Sequence, residues 1–193
     1  MEKRIALGSG KIYLKNTTEI TDLSFDDPEA LIKDFCIPEN EFGAVKNGAT
    51  IAYSPTNYTA SDDLGRFTKT ITQEETVTLG CGLITVGLKM LEVLADSGRV
   101  ISNSGKKSFI KIGGTENSKN ASYLIIFEHL DAKDGNIYVI LVGKNTAELS
   151  IAFAPGAETV LNPTFTAEGM DDEGTKLIIL MDDPAAISGG DGA

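Results

Sequence analysis

The chain has 193 residues, the size of a single domain. Its 28 acidic and 17 basic side chains leave a net charge of −11, which argues against a nucleic-acid binder, since such proteins gather Lys and Arg to neutralise phosphates. A surface past which nucleic acid must slide without sticking stays open, whereas a membrane-spanning helix does not, because no stretch approaches ~18 consecutive apolar residues.

Glycine is abundant, tryptophan is absent, and most apolar residues fall in short runs broken by turn formers, the texture of an antiparallel β protein. Residues 4–14 predict a strand bent at Gly8-Ser9-Gly10. The first residues contain no apolar signal core, which predicts a protein kept in the cytoplasm of the cell that makes it, or one that leaves by a route other than a signal peptide. Residues 16–46 form a long connection with one or two helical turns over 28–35, and connections of that length are usually functional or mobile. Residues 48–60 and 66–80 then predict two long strands joined by a loop at 61–65. In the second strand every even position from Arg66 to Thr78 is polar, while the odd positions include Phe67, Ile71, Val77 and Leu79. One face is therefore wet and carries a threonine ladder. A hairpin of that length overhangs its own domain and needs something else to pack on.

An amphipathic helix is predicted over 86–96, with Thr85 as N-cap and Gly98 as its stop. The second half reads as strands at 108–112, 121–129, 136–142, 148–153, 162–167 and 175–181. Asp134-Gly135-Asn136 marks a hairpin turn. The segment 137–142 is apolar on both faces and so predicts a strand covered on both sides, by the helix and by another layer or subunit. Residues 182–193 read as a tail. With no repeat and no second composition regime, residues 1–181 are expected to form one mainly β domain with one flanking helix and a long hairpin.

The search for chemistry returns little. The single histidine, His129, sits at a strand end, where a structural role is the usual one. Cys36 and Cys81 lack metal-ligand spacing and are expected to be free thiols. Gly8-Ser9-Gly10-Lys11 lacks the spacer and hydroxyl of a phosphate loop, and the acidic pairs lack the alternation of a calcium loop. No enzyme, cofactor or metal is expected.

The runs Gly8-Ser9-Gly10-Lys11-Ile12-Tyr13-Leu14, Asn47-Gly48-Ala49-Thr50-Ile51-Ala52-Tyr53-Ser54-Pro55, Phe165-Thr166-Ala167-Glu168 and Asp172-Glu173-Gly174-Thr175, with the order of hairpin, threonine-rich strand, helix and Asp-Gly turn, resemble the tail tube proteins of long-tailed bacteriophages. The resemblance implies a β-sandwich or barrel-like structural protein whose copies form hexameric rings stacked into a tube. It implies assembly in the bacterial host cytoplasm into a virion tail, with the tape-measure protein, the tail terminator and baseplate or tip proteins as partners. DNA would pass the channel without tight binding. On that reading Thr68, Thr70, Thr72, Glu74 and Thr76, with alternate residues of 48–58, face the lumen. The contact candidates between rings are Phe25, Leu31, Phe35, Tyr58, Asp62, Asp63 and Leu64. The rival readings are a β-sandwich binding or adhesin module, made thin by the few aromatic residues, and another structural tail part such as a terminator.

Overall fold

Alternating residues pair into nine strands in the computed structural model, which describes residues 9–21, 23–102, 107–131 and 134–183. The strands are β1 (Gly10–Asn16), β2 (Glu41–Ser61), β3 (Thr68–Leu83), β4 (Arg99–Ser102), β5 (Ser108–Lys111), β6 (Tyr123–His129), β7 (Ile137–Asn145), β8 (Thr164–Ala167) and β9 (Ile178–Met181). The helices are α1 (Pro28–Phe35) and α2 (Leu88–Leu94).

The protein is mainly β. The large sheet runs β6-β1-β2-β3-β8-β7-β9, and β6 also pairs with β7, so six antiparallel strands close on themselves as a barrel. β7 pairs with β6 along its length, so its other edge is shared by β9 at Ile137–Ile140 and β8 at Gly143–Asn145.

Two apolar clusters flank the β1/β6/β7 wall. The larger contains Ile12, Leu79, Leu83, Ile125, Leu141 and Phe165, all fully buried, and is joined by Met90, Leu91 and Leu94 of α2. The smaller contains Tyr13, Leu124, Ile126, Ile140 and Val142, with Phe25, Ile32, Phe35 and Ile178 packed onto it. Both faces of β7 are thus covered within one chain: α2 and the barrel interior lie on one side, α1 and its flanking segment on the other. The connection over 16–46 supplies this layer. Asp27 caps α1 by accepting from Ala30 N at 3.1 Å, and Pro28 sits in its first turn.

The structure corrects several expectations. The one or two helical turns expected over 28–35 form α1, a second α-helix beside the one expected to flank the sheet. α2 begins at Leu88 behind Gly87, and the Thr85 hydroxyl instead accepts from Ala44 N at 3.2 Å, tying the lead-in of the helix to β2. Residues 148–153 form no strand; their alternation lays Leu149 and Ile151 against the larger cluster. β4, not foreseen, pairs with β5 as a separate two-stranded sheet on α2. The predicted first strand is seen from Gly10; its residues 4–8, and residues 184–193 of the predicted tail, lie outside the described residues.

Candidate functional site

β2 and β3 are far longer than the barrel requires. In β3 the burial changes abruptly: Val77, Leu79, Cys81 and Leu83 are buried, whereas every residue from 68 to 75 is exposed. In β2 every residue from 51 to 61 is exposed. Half of the hairpin therefore projects as a two-stranded arm, about 35 Å long at ~3.3 Å per residue. Among the described strands, none pairs with the outer edge of β2 beyond Ala44 or with the outer edge of β3 before Thr78. The Glu75 carbonyl on β3 accepts from Lys176 Nζ and Pro55 on β2 has no N–H; the other edge groups, with no strand beside them among the described residues, are a template for another chain.

Two irregularities shape the arm. Asn47 and Gly48, at φ +64° and +72°, are inserted into β2 between the pairs Lys46–Gly82 and Ala49–Cys81. Gln73 is inserted into β3 between the pairs Thr56–Glu74 and Asn57–Thr72. An extra residue on one strand shifts its phase by one, so side chains beyond it exchange faces relative to the sequence period. The face that carries Leu79 and Val77 at the base continues outward as Tyr53, Glu75, Asn57, Thr72, Thr59 and Thr70. The opposite face carries Ser54, Thr76, Thr56 and Glu74, then Tyr58, Ile71, Ala60 and Lys69 at the tip.

Hydrogen bonds support the assignment. The Thr59 and Thr70 hydroxyls meet at 2.8 Å, and Thr72 Oγ1 donates to Asn57 Oδ1 at 3.0 Å. Tyr53 Oη donates to Glu75 Oε1 at 2.6 Å, and this bond raises the pKa of the phenol. At the tip, Asp62 organises the turn: Oδ1 accepts from Phe67 N at 2.8 Å and Oδ2 from Arg66 Nε at 3.3 Å, with Gly65 at φ +67°. These donors, the Phe67 amide first, hold the Asp62 carboxyl below its ordinary pKa.

The five residues expected on one wet face are thus divided. Thr68, Thr70 and Thr72 lie on one side of the arm, and Glu74 and Thr76 on the other, because of Gln73. Of the contact candidates, Leu31 is buried and Phe25 and Phe35 pack into the smaller cluster, since the segment around α1 covers the outer wall of the barrel. Tyr58, Asp63 and Leu64 are exposed on the arm, Leu64 at 72%. Phe67 and Ile71 fall in the dry set of the period-two count, yet both are exposed, Phe67 at 74%. Nothing in the local sequence flags the bulge that places Ile71 beside Tyr58.

At the base of the arm His129 is buried, and its Nδ1 lies 3.1 Å from the Ser9 carbonyl. Cys36 and Cys81 are free thiols, each pushed up to about 12 by burial. Among the described residues no group of three or more His, Cys, Asp or Glu side chains is placed to hold a metal ion, and no helix is long and apolar enough to cross a membrane. In comparisons with known proteins, no family model and no curated protein matches the chain.

Proposed function

We propose that this chain is the structural subunit of a tail tube, six copies closing into a ring through their arms and rings stacking around a water-filled channel. The observation that carries the reading is the arm itself, two strands exposed on both faces and, among the described residues, with no strand on either outer edge. A two-stranded ribbon alone in water is marginal, and pairing the free β2 edge of one copy with the free β3 edge of the next completes it. Around six copies such pairing closes a wall of strands. In this arrangement the ladder of Asn57, Thr59, Thr70 and Thr72 faces the channel, where hydroxyls hydrate well without gripping phosphates, and Tyr58 and Ile71 pack on the wall's outer side. A net charge of −11 per copy keeps the tube's field unfavourable to adhering DNA. The tape-measure protein fills the channel before ejection, and the terminator and tip proteins close its ends.

The test is assembly of the full chain followed by light scattering and negative-stain imaging across concentration. Six-copy rings or tubes are expected for the native sequence. A Tyr58→Lys, Ile71→Lys variant is expected to melt at an unchanged temperature but to remain monomeric. A native chain that stays monomeric at millimolar concentration, or a variant that assembles as well as the native chain, overturns the reading.

A further inference from the structure

β2 joins two extremities of the molecule. It starts at Glu41 beside α2 and ends at Ser61 in the tip of the arm, 21 residues further on and about 70 Å along its path at ~3.3 Å per residue. At its start, α2, β1 and the lead-in to β2 enclose an open cleft of about 520 Å³, whose apolar lining is Leu14, Phe42, Met90 and Val93. Tyr123 lines it too. This residue is only 8% exposed, and its hydroxyl has no hydrogen-bond partner among the described residues. Burial first, then the charges of Glu92, Asp96 and Glu19, raise the pKa of the phenol. Its oxygen is therefore a neutral acceptor in the field of carboxylates, a setting that suits an ammonium.

Several charges of the cleft are already matched within the chain. Glu92 accepts from Lys119 Nζ at 2.7 Å and from Val100 N at 3.4 Å, Asp96 accepts from Ser118 and the Asn120 amide, and Glu41 lies 3.9 Å from Lys11. Lys15 sits 5.7 Å from the Phe35 ring, and Lys89 helps to lower the pKa of Glu92. The exposed carboxylates of Glu19 and Glu39 pair with no cation among the described residues. At the other end of β2, the tip presents Leu64 and Phe67, 72% and 74% exposed, on a turn held by the hydrogen bonds of Asp62. A turn fixed in this way loses little freedom on docking. Beside that apolar pair, Asp63 and Lys69 are exposed, and neither has an ion-pair or hydrogen-bond partner among the described residues.

We infer that the tip of the arm docks into this cleft of a second copy of the chain, with Leu64 and Phe67 on its apolar lining, Lys69 at Tyr123 and the Glu19–Glu39 rim, and Asp63 toward Lys89. Tip and cleft lie at opposite ends of one strand, so the contact is heterologous and propagates head to tail. The apolar pair supplies the buried contact, and charges of both signs around it set the register. Each such contact is small, and the copies of one ring make it simultaneously, which multiplies its effect. The inference rests on reading the chain as a ring-forming subunit and adds the site by which one ring holds the next. Ring closure uses the strand edges of the arm and does not involve the cleft.

The experiment uses the full chain throughout. An isotopically light chain with photoreactive benzoylphenylalanine in place of Phe67 is mixed with heavy native chains and irradiated. Links from the light chain to Phe42, Met90 or Val93 of the heavy one are expected. Charge reversals follow, Lys69→Glu on the tip and Glu19→Lys with Glu39→Lys on the rim; all three sites are exposed, and thermal melts establish that each variant folds. Either set is expected to leave rings intact and to weaken their stacking about tenfold in sedimentation, and the two sets together to restore it to within about threefold. Intermolecular links confined to other surfaces, stacking unchanged by either set, or no recovery in the combined variant overturns the inference, and rings that form all the same leave the tube reading standing. Single-file chains linked at the cleft without rings overturn the tube reading and keep this contact. A chain that stays monomeric and unlinked at millimolar concentration overturns both.

Discussion

The barrel and the arm share two strands, β2 and β3, yet those strands solve opposite problems in the two regions. From Val77 to Leu83, alternate side chains of β3 enter a core whose members are almost wholly buried. From residue 68 to 75 the same backbone conformation continues with both faces in water. Period-two patterning reports which side chains share a face; it does not report what covers that face. In the barrel the cover is intramolecular and the energy of burial stabilises the monomer. In the arm no such cover is seen among the described residues, so Tyr58 and Ile71 contribute little to folding, and on the proposed reading their contribution is to association.

Truncations in the two regions test this contrast most directly. Phe165 is fully buried and meets Phe42 edge to face at 6.4 Å. Phe165→Ala is expected to cost about 3–5 kcal/mol, read from chemical denaturation of the monomer. Ile71→Ala, on an exposed stretch, is expected to stay within about 0.5 kcal/mol. Comparable losses at the two sites would break the comparison. Next in size is Gly143→Ala. Gly143 pairs with Tyr123 of β6 on one edge and with Ala167 of β8 on the other, and a Cβ at this position would collide with the Thr166 carbonyl. The strands must separate to admit it, and the expected loss is about 1–3 kcal/mol by the same measurement. Ala at this site without loss would mean that the seam closing the barrel is slack.

The barrel also has an alkaline signature. Burial pushes the Cys81 thiol up to about 12, whereas in the unfolded chain it ionises near 9. Between those values the native state holds one proton more than the unfolded state, so stability falls as pH rises. The slope approaches about 1.4 kcal/mol per pH unit. Tyr13, Tyr123 and Tyr138, their pKa values also raised by burial first, steepen the same limb. Denaturation of Cys81→Ala at a series of pH values is expected to give a shallower alkaline limb than the native chain. Equal slopes would show that Cys81 meets water in the native state.

The mainly β class, the long hairpin and the double-faced burial of 137–142 were legible because each leaves a one-dimensional mark: alternation, length or an unbroken apolar run. Two kinds of feature were not. The segment 16–46 reads as a polar excursion, because the surface on which Ile32 and Phe35 of its short helix, and Phe25 before it, dock lies about a hundred residues away on β6 and β7. The bulge at Gln73 leaves no mark, since a single unpaired residue depends on the register chosen by both strands and by the turn at Asp62. The cost of misreading it is specific: a threonine ladder that looks continuous from Thr68 to Thr76 changes sides in the middle.

That change of sides gives the smallest expected effect on the monomer and the sharpest test of what the arm is for. Inserting one threonine between Thr56 and Asn57 supplies a partner for Gln73. Every other pair, from Asn57–Thr72 to Ser61–Thr68, is kept, but the tip rotates so that the ladder joins the face of Glu74 and Thr76 while Tyr58 and Ile71 move to the other side. Deleting Gln73 removes the bulge and leaves every face as it is. Because the arm is exposed on both sides, both variants are expected to unfold within about 0.5 kcal/mol of the native chain. Only the insertion exchanges the surfaces offered to a neighbour, so imaging is expected to find assemblies for the deletion and monomers for the insertion. If both assemble, face identity is irrelevant and the arm joins copies through its strand edges alone. If neither does, the bend imposed by the bulge, rather than the chemistry of either face, is what a neighbouring copy recognises.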